Sequence, residues 1–158
     1  MLIFDAAYLF MGSKYLEQST QRKFWLNDNS LNTLLNYIQA NATNGELIQL
    51  RHYVTSDNDQ GKRKPMYNAL KKQGIHIDTR NFKKKTAYCP NKQCNFSKGH
   101  AITMQAEVDV AIVMKAMKSA ILDQIDTLVL VAGDGDFRDL IEFFTTTLHK
   151  KVVVFGWR

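Results

Sequence analysis

Four aspartates are the residues of this chain whose type and placement are best suited to chemistry. Asp134 and Asp136 follow an apolar run at residues 127–132 and are separated from each other by one glycine. Asp5 ends the apolar start of the chain, and Asp109 lies near the beginning of a long amphipathic segment. Carboxylates held together repel one another unless a cation, a proton or a helix amino terminus offsets their charge. The group therefore predicts a site for Mg²⁺, which takes oxygen ligands.

Each of these aspartates also has an interpretation that involves no metal, and the residues alone leave both open. Asp136 could be only the N-cap of the helix that follows it, and Asp134 a solvated loop residue. Asp5 could end a strand in a turn, and Asp109 could lie in an exposed first turn, where the helix dipole favours an acid. The metal site is the favoured interpretation because it explains all four positions at once.

Predicted strands and helices alternate along the chain, which indicates an α/β fold with a parallel sheet covered on both faces. Because ligands of such sheets bind beyond the carboxyl ends of the strands, Asp5 and the Asp134–Asp136 pair are expected to meet in one crevice. The predicted strands lie at residues 1–4, 47–55, 75–79, 127–132 and 152–155.

The longest predicted helix covers residues 104–122 and would carry Asp109 near its start. Its expected apolar stripe places Asp109 on the inner side of the helix, where an unpaired carboxylate is costly. The stripe consists of Val110, Val113, Met114, Met117 and Ile121. Other helices are predicted from near Tyr8, from Ser30, over residues 65–70 with Gly74 as the terminator, and over residues 137–148.

A basic segment at residues 81–101 interrupts this alternation and is predicted to be a loop or small hairpin. Cations combined with aromatic side chains are typical of single-stranded nucleic-acid binding, although a solvated run of charge is an equal alternative. Arg138, beside the acids, is a further candidate for phosphate contact, with a solvated helix position as the favoured interpretation. The segment's candidate nucleic-acid-binding residues are Lys83, Lys84, Lys85, Tyr88, Lys92, Phe96 and Lys98.

The same segment holds both cysteines of the chain. The spacing of Cys89, Cys94 and His100 is compatible with zinc, with His76 as a possible fourth ligand. Two reduced cysteines in a loop remain the favoured interpretation.

Composition sets the remaining limits. The 158 residues, 45% of them hydrophobic, suit a single folded domain, and the net charge of +6 with a pI near 9.3 favours anionic partners such as nucleic acid. Two cysteines are too few for a disulfide scaffold. No apolar stretch approaches the roughly 20 residues of a membrane span, and the first residues lack the pattern of a signal peptide. A soluble, cytoplasmic protein is expected.

Three blocks of the sequence resemble the NYN domains, and in particular the LabA-like group of the PIN-like nuclease superfamily. They are LIFDAAYLF (residues 2–10), VDV (residues 108–110) and VAGDGDF (residues 131–137). The resemblance implies a Rossmann-like, three-layer α/β/α fold with a central parallel sheet of about five strands. It also implies a metal-dependent ribonuclease site whose acidic positions match Asp5, Asp109, Asp134 and Asp136. One departure stands out, because Tyr8 occupies a position where family members usually carry Asn.

The function implied is hydrolysis of RNA, in which carboxylates hold one or two Mg²⁺ or Mn²⁺ ions that activate a water and stabilise the leaving oxygen. The alternative is a catalytically weak or inactive RNA- or protein-binding module of the same fold, which Tyr8 favours. A phosphatase or phosphotransferase is a third class, for which no glycine-rich phosphate loop is visible.

Overall fold

A five-stranded parallel sheet, with helices on both of its faces, forms the centre of the protein. The computed structural model describes residues 1–21, 28–56, 63–95, 97–104, 107–122 and 125–157. Along the chain the elements are β1 (Leu2–Asp5), α1 (Ala6–Thr20), α2 (Asp28–Ala42), β2 (Arg51–Ser56), α3 (Lys64–Lys72), β3 (His76–Arg80), β4 (Lys83–Ala87), β5 (His100–Met104), α4 (Val108–Leu122), β6 (Thr127–Val131), a 3₁₀ turn (Gly135–Phe137), α5 (Arg138–Glu142), a π-helical turn (Phe143–Thr147) and β7 (Lys151–Phe155).

The order of the strands places the first strand in the middle of the sheet. The order is β3-β2-β1-β6-β7, and all neighbouring strands are parallel. The chain moves outward from β1 to β3 on one side and from β6 to β7 on the other, so the order reverses between β1 and β6. A crevice is expected beyond the carboxyl ends of these two strands. The predicted α/β fold with a five-stranded parallel sheet is confirmed.

Two hydrophobic cores lie on opposite faces of the sheet, because successive side chains of a strand point in opposite directions. Phe4 belongs to the core formed with α1, α2 and α3, whereas its neighbour Ile3 packs in the core formed with α4 and α5. Both side chains are fully buried. Burial on both faces explains why β1 and β6 are continuous apolar runs rather than alternating ones.

Helix α4 differs from its prediction in both its start and its buried face. It begins at Val108, because Met104 belongs to β5 and Glu107 has a left-handed backbone with φ of 67°. Three residues of the expected stripe are exposed by more than 60%, namely Val110, Met114 and Ile121. The helix instead packs through small side chains, which allow it to lie close to the sheet, together with Val108 and Ile112. The small residues are Ala111, Ala116, Ser119 and Ala120.

Other element boundaries also shift. Strand β2 begins at Arg51 and not at residue 47, since Leu47 is 69% exposed. The single helix predicted over residues 137–148 is divided into 3₁₀, α and π segments. Helix α3 ends as predicted, because Gly74 has a φ of 69° and the N–H of Ile75 donates to the carbonyl of Leu70 at 3.0 Å.

The basic segment forms a hairpin that is separate from the central sheet. Strands β4 and β5 pair antiparallel, from Lys83 opposite Met104 to Ala87 opposite His100. Every side chain of β4 is exposed. Gly99 fits the hairpin closely, since a Cβ there would lie 2.8 Å from Tyr88. None of the helices in the described part of the chain is both long enough and apolar enough to cross a membrane.

Candidate active site

Asp5 is positioned by the junction between β1 and α1. Its side chain is only 6% exposed and caps the helix, accepting hydrogen bonds from the N–H groups of Ala7 at 2.9 Å and Tyr8 at 3.3 Å. The sequence suggested a strand end for this residue but did not reveal the cap. A buried carboxylate at a helix amino terminus is partly compensated by the helix dipole.

The loop after β6 brings Asp134 and Asp136 to the same edge of the sheet. Strands β1 and β6 are paired in register, with Phe4 opposite Val131, so the residues that follow each strand are neighbours. Asp134 caps the 3₁₀ turn by accepting a hydrogen bond from the N–H of Asp136 at 3.0 Å. The cap is thus Asp134 rather than Asp136. Both side chains are exposed.

Asp109 reaches this group from the first turn of α4. It is exposed rather than buried on an apolar face, because the buried face of α4 is not the one expected from the sequence. The inner-side placement was therefore wrong, but Asp109 lines the same cleft as Asp5 and Asp134, so it lies near these acids as expected.

Burial and the neighbouring carboxylates raise the pKa values of two of these aspartates, Asp5 and Asp109. Burial raises the pKa of Asp5, and the negative charges of Asp109 and Asp134 raise it further, while the two capping hydrogen bonds lower it. Partial desolvation and then the charges of Asp134 and Asp136 raise the pKa of Asp109. All four acids thus interact electrostatically, although they come from three separate parts of the chain.

A cleft of about 510 Å³ lies in front of three of these aspartates. Asp5, Asp109 and Asp134 line it, together with Tyr8 and Glu107. Two residues that are two positions apart within a helix do not share a face, but Glu107 precedes the helix and can therefore line the same cleft as Asp109. Its carboxylate pairs with Lys83 of the hairpin at 2.9 Å, which lowers the pKa of Glu107. The base of the basic hairpin therefore lies at the edge of the acidic cleft.

Within the described residues, no three His, Cys, Asp or Glu side chains are grouped in a way that could hold a metal ion as they stand. The donors nevertheless suit Mg²⁺ or Mn²⁺, since all four are carboxylates, which supply oxygen ligands and repel one another when no cation lies between them. Mg²⁺ keeps several waters and is commonly held by only one or two carboxylates. Of the four acids, Asp5, Asp109 and Asp134 face the cleft, so they are the residues that would hold such an ion.

Tyr8 forms part of the wall of the acidic cleft and has a structural role that the sequence did not reveal. Its ring packs so closely on Gly133 that a Cβ at that glycine would lie 2.2 Å from the ring. Its hydroxyl accepts a hydrogen bond from the backbone N–H of Trp157 at 2.5 Å. The indole of Trp157 in turn packs against Gly12 of α1. Tyr8 therefore joins α1, the loop after β6 and the segment after β7.

The remaining candidates among the described residues do not line the acidic cleft. Among the predicted nucleic-acid-binding residues, Phe96 lies outside the described part of the chain. The side chains of the others are exposed, namely Lys83, Lys84, Lys85, Tyr88, Lys92, Lys98 and Arg138. Cys89 and Cys94 are free and half-buried. They do not form a metal-holding group with His100 in the part of the chain that the structure describes, and the zinc site stays a prediction. His76 stacks on His52 instead of joining them.

Mn²⁺ is expected to stabilise the protein by relieving the repulsion among the carboxylates of the acidic cleft. At about tenfold excess over its dissociation constant, Mn²⁺ adds about 1.4 kcal/mol to the free energy of unfolding, or about 3–6 °C in melting temperature. The exposed substitution Asp109→Asn should remove most of the shift, and Asp139→Asn, on an exposed position of α5, should leave it intact. Differential scanning calorimetry measures both. Equal Mn²⁺ shifts in all three proteins would contradict metal binding at Asp109.

Comparison with known proteins agrees with the fold and with the sequence blocks. The family model described as NYN domain matches residues 1–158, so the chain belongs to the NYN domain family, a group of predicted nucleases. The structure is similar to the crystal structure of VPA0982, a protein of unknown function from Vibrio parahaemolyticus, with a TM-score of 0.61 and 19% identity over 98% of this chain and 78% of that chain. At this identity the likeness concerns the fold alone. No curated protein matches the chain.

Proposed function

We propose that this protein is a metal-dependent ribonuclease whose active site is the acidic cleft. The observation that carries the proposal is the convergence of Asp5, Asp109 and Asp134 in one cleft at the carboxyl edge of β1 and β6, where burial and the neighbouring carboxylates raise the pKa values of Asp5 and Asp109. Groups with perturbed ionisation that meet in a cleft are candidates for a functional site. Membership of a family of predicted nucleases supports the same conclusion.

The three aspartates of the cleft differ in how firmly the fold positions their carboxylates. Asp5 is buried and fixed by two backbone hydrogen bonds, so it supplies a ligand of defined position. Asp134 is oriented by the N–H of Asp136, while the side chain of Asp109 is exposed, so it can adjust to a bound cation. When bound, Mg²⁺ or Mn²⁺ supplies a nucleophilic water and a positive charge for the developing negative charge of the phosphodiester.

The basic hairpin supports RNA as the substrate. Lys83 sits at the cleft edge through its ion pair with Glu107, and the neighbouring Lys84 and Lys85 are exposed to solvent. Cations along a groove attract the nucleic-acid backbone, and an exposed aromatic such as Tyr88 provides a surface on which a base can stack. The net charge of +6 acts in the same direction.

A second function, an RNA-binding module with weak hydrolysis, is favoured by one observation. Tyr8 fills the space beside Gly133, immediately before Asp134, and commits its hydroxyl to the backbone of Trp157. A bulky side chain held in this way reduces the room that a phosphate has next to Asp134. The two functions share the binding surface and differ only in the rate of cleavage.

Incubation with labelled single-stranded RNA separates them. The wild-type protein is expected to cleave RNA in the presence of Mn²⁺ or Mg²⁺, and the cleavage should stop when a chelator is added. Asp134→Asn should slow cleavage by more than about 100-fold, because loss of even an outer-shell partner of a metal ligand costs about 10- to 100-fold. Asp139→Asn, which removes an exposed acid outside the cleft, should cleave at the wild-type rate.

Three outcomes decide between the proposals. Cleavage lost only in Asp134→Asn supports the ribonuclease. Equal traces of cleavage in all three preparations indicate a contaminating enzyme and overturn it. Binding without cleavage, with an affinity that falls steeply as salt is raised, identifies the binding module.

A further inference from the structure

A second cleft, of about 560 Å³, lies between α4 and the edge strand β3. Its polar lining comes from four different elements and contains two lysines, two histidines and one aspartate. It shares no residue with the acidic cleft, and it opens near the amino ends of β2 and β3 rather than at their carboxyl ends. The polar residues are His52, Lys71, His76, Asp78 and Lys115.

The carboxylate of this cleft is already engaged on both of its oxygens. Oδ2 of Asp78 lies 3.1 Å from Nδ1 of His52, and Oδ1 lies 3.2 Å from Nζ of Lys115. Among the described residues that line the cleft, Asp78 is the only acid. A bound cation would therefore find no uncommitted carboxylate, whereas an anion would meet the ammonium group of Lys71 and those N–H donors of Lys115 that its ion pair with Asp78 does not use.

The charge balance within the cleft is positive. Burial, and after it the charge of Lys115, lowers the pKa of His52, so its ring is neutral at neutral pH and the Asp78 charge is left to Lys115. The ammonium group of Lys71, an exposed residue in the last turn of α3, has no acidic counterpart among the described residues of the lining. Lysine is a common partner of phosphate groups, acting as a point charge.

The two histidines add a flat surface beside these lysines. Their rings stack at 28° with centroids 5.4 Å apart, and His52 is half-buried while His76 is exposed. Histidine rings are among the side chains on which bases stack in complexes with single-stranded RNA. An ammonium group next to an exposed ring matches the two parts of a nucleotide, its phosphate and its base.

We propose that this second cleft binds the phosphate group of a nucleotide, with Lys71 and Lys115 holding the phosphate and His76 contacting the base. The proposal does not rest on hydrolysis at the acidic cleft, since none of the four aspartates takes part. The nucleotide is either free or part of an RNA chain. Asp109 and Lys115 are six residues apart on α4, about 9 Å along its axis, so an RNA chain that enters one cleft is close enough to extend to the other.

Nuclear magnetic resonance of the histidine rings tests the proposal. The full chain is titrated, in the presence of a chelator, with inorganic phosphate, adenosine 5′-monophosphate and a short single-stranded RNA. Saturable shifts of the His76 ring with the mononucleotide identify a free nucleotide as the ligand, and shifts with the RNA alone identify a backbone phosphate. Either result supports the cleft as a phosphate site, and no saturable shift with any probe overturns it.

Matched variants show whether Lys71 is responsible for the binding. Lys71→Met should weaken the binding about tenfold, which corresponds to about 1.4 kcal/mol. Lys118→Met removes one charge from an exposed position of α4 that does not line the cleft, and it should leave the affinity unchanged. Equal weakening in both variants would show a nonspecific charge effect and overturn the proposal. Asp134→Asn should retain the histidine shifts, which separates this result from the outcome of the cleavage assay.

Discussion

Asp5→Asn is expected to abolish the proposed RNA hydrolysis and at the same time to stabilise the fold. Asparagine is as good an N-cap as aspartate, so the hydrogen bonds from Ala7 and Tyr8 are retained. The substitution removes the buried negative charge whose pKa is raised by burial and by its acidic neighbours. Charge optimisation commonly adds about 0.5–2 kcal/mol to the free energy of unfolding, and at a functional site it commonly costs activity.

The stabilisation should depend on pH in a defined direction. Because the pKa of Asp5 is raised in the folded state, folding with an ionised Asp5 carries a cost that grows as pH rises from about 4, the value in the unfolded chain, through the folded pKa. Below that range both states are protonated and the cost disappears. The difference in unfolding free energy between Asp5→Asn and wild type should therefore be largest at neutral pH and shrink toward zero under acid conditions.

Urea denaturation at several pH values, together with the RNA cleavage assay, measures both effects. Asp139→Asn provides the control, since its exposed carboxylate should change neither the stability nor the rate. A variant that is less stable than wild type at neutral pH would show that Asp5 is stabilising in its ionised form. Cleavage at the wild-type rate would exclude Asp5 from the active site.

Gly133→Ala is expected to destabilise the protein by about 1–3 kcal/mol, the usual cost of overpacking. The new Cβ would lie 2.2 Å from Cε2 and 2.5 Å from Cζ of Tyr8. The ring has little room to withdraw, since its hydroxyl is tied to the backbone of Trp157. Gly135→Ala, two residues further along the same loop, meets nothing within 4 Å and should be nearly neutral.

A double-mutant cycle with Tyr8→Asn isolates the contact. Asparagine removes the ring and with it the clash, so Gly133→Ala should cost less in the Tyr8→Asn background than in wild type. The coupling free energy from urea denaturation is expected to be about 1 kcal/mol or more. Additive effects would show that the glycine is required for a reason other than its contact with Tyr8.

The arrangement of the sheet and the placement of most acids were predictable because they depend on local patterns. Apolar runs that end in aspartate defined β1 and β6, and parallel strands bring their carboxyl ends to one edge. Asp5 and Asp134 were placed correctly by this reasoning. The glycine that ends α3 was also predictable, because a left-handed backbone position favours that residue.

Features that depend on long-range packing were not predictable in this way. The inner face of α4 was assigned to large apolar residues such as Met114, whereas alanines allow the helix to approach the sheet. Tyr8 and Trp157 are 149 residues apart, and nothing in either neighbourhood indicates their hydrogen bond. The same holds for His52 and Asp78, which meet only because β2 and β3 are adjacent.

The central position of β1 has a consequence for synthesis on the ribosome. Strand β1 is made before the other strands of the sheet, and one of its two partners, β6, covers Thr127–Val131, so the second edge of β1 has no strand partner until those residues have been translated. A buried apolar strand with an open edge invites pairing with other chains. The nascent protein is therefore expected to need protection by chaperones until β6 has emerged from the ribosome. Contacts between residues far apart in the sequence, such as those between β1 and β6, also slow folding.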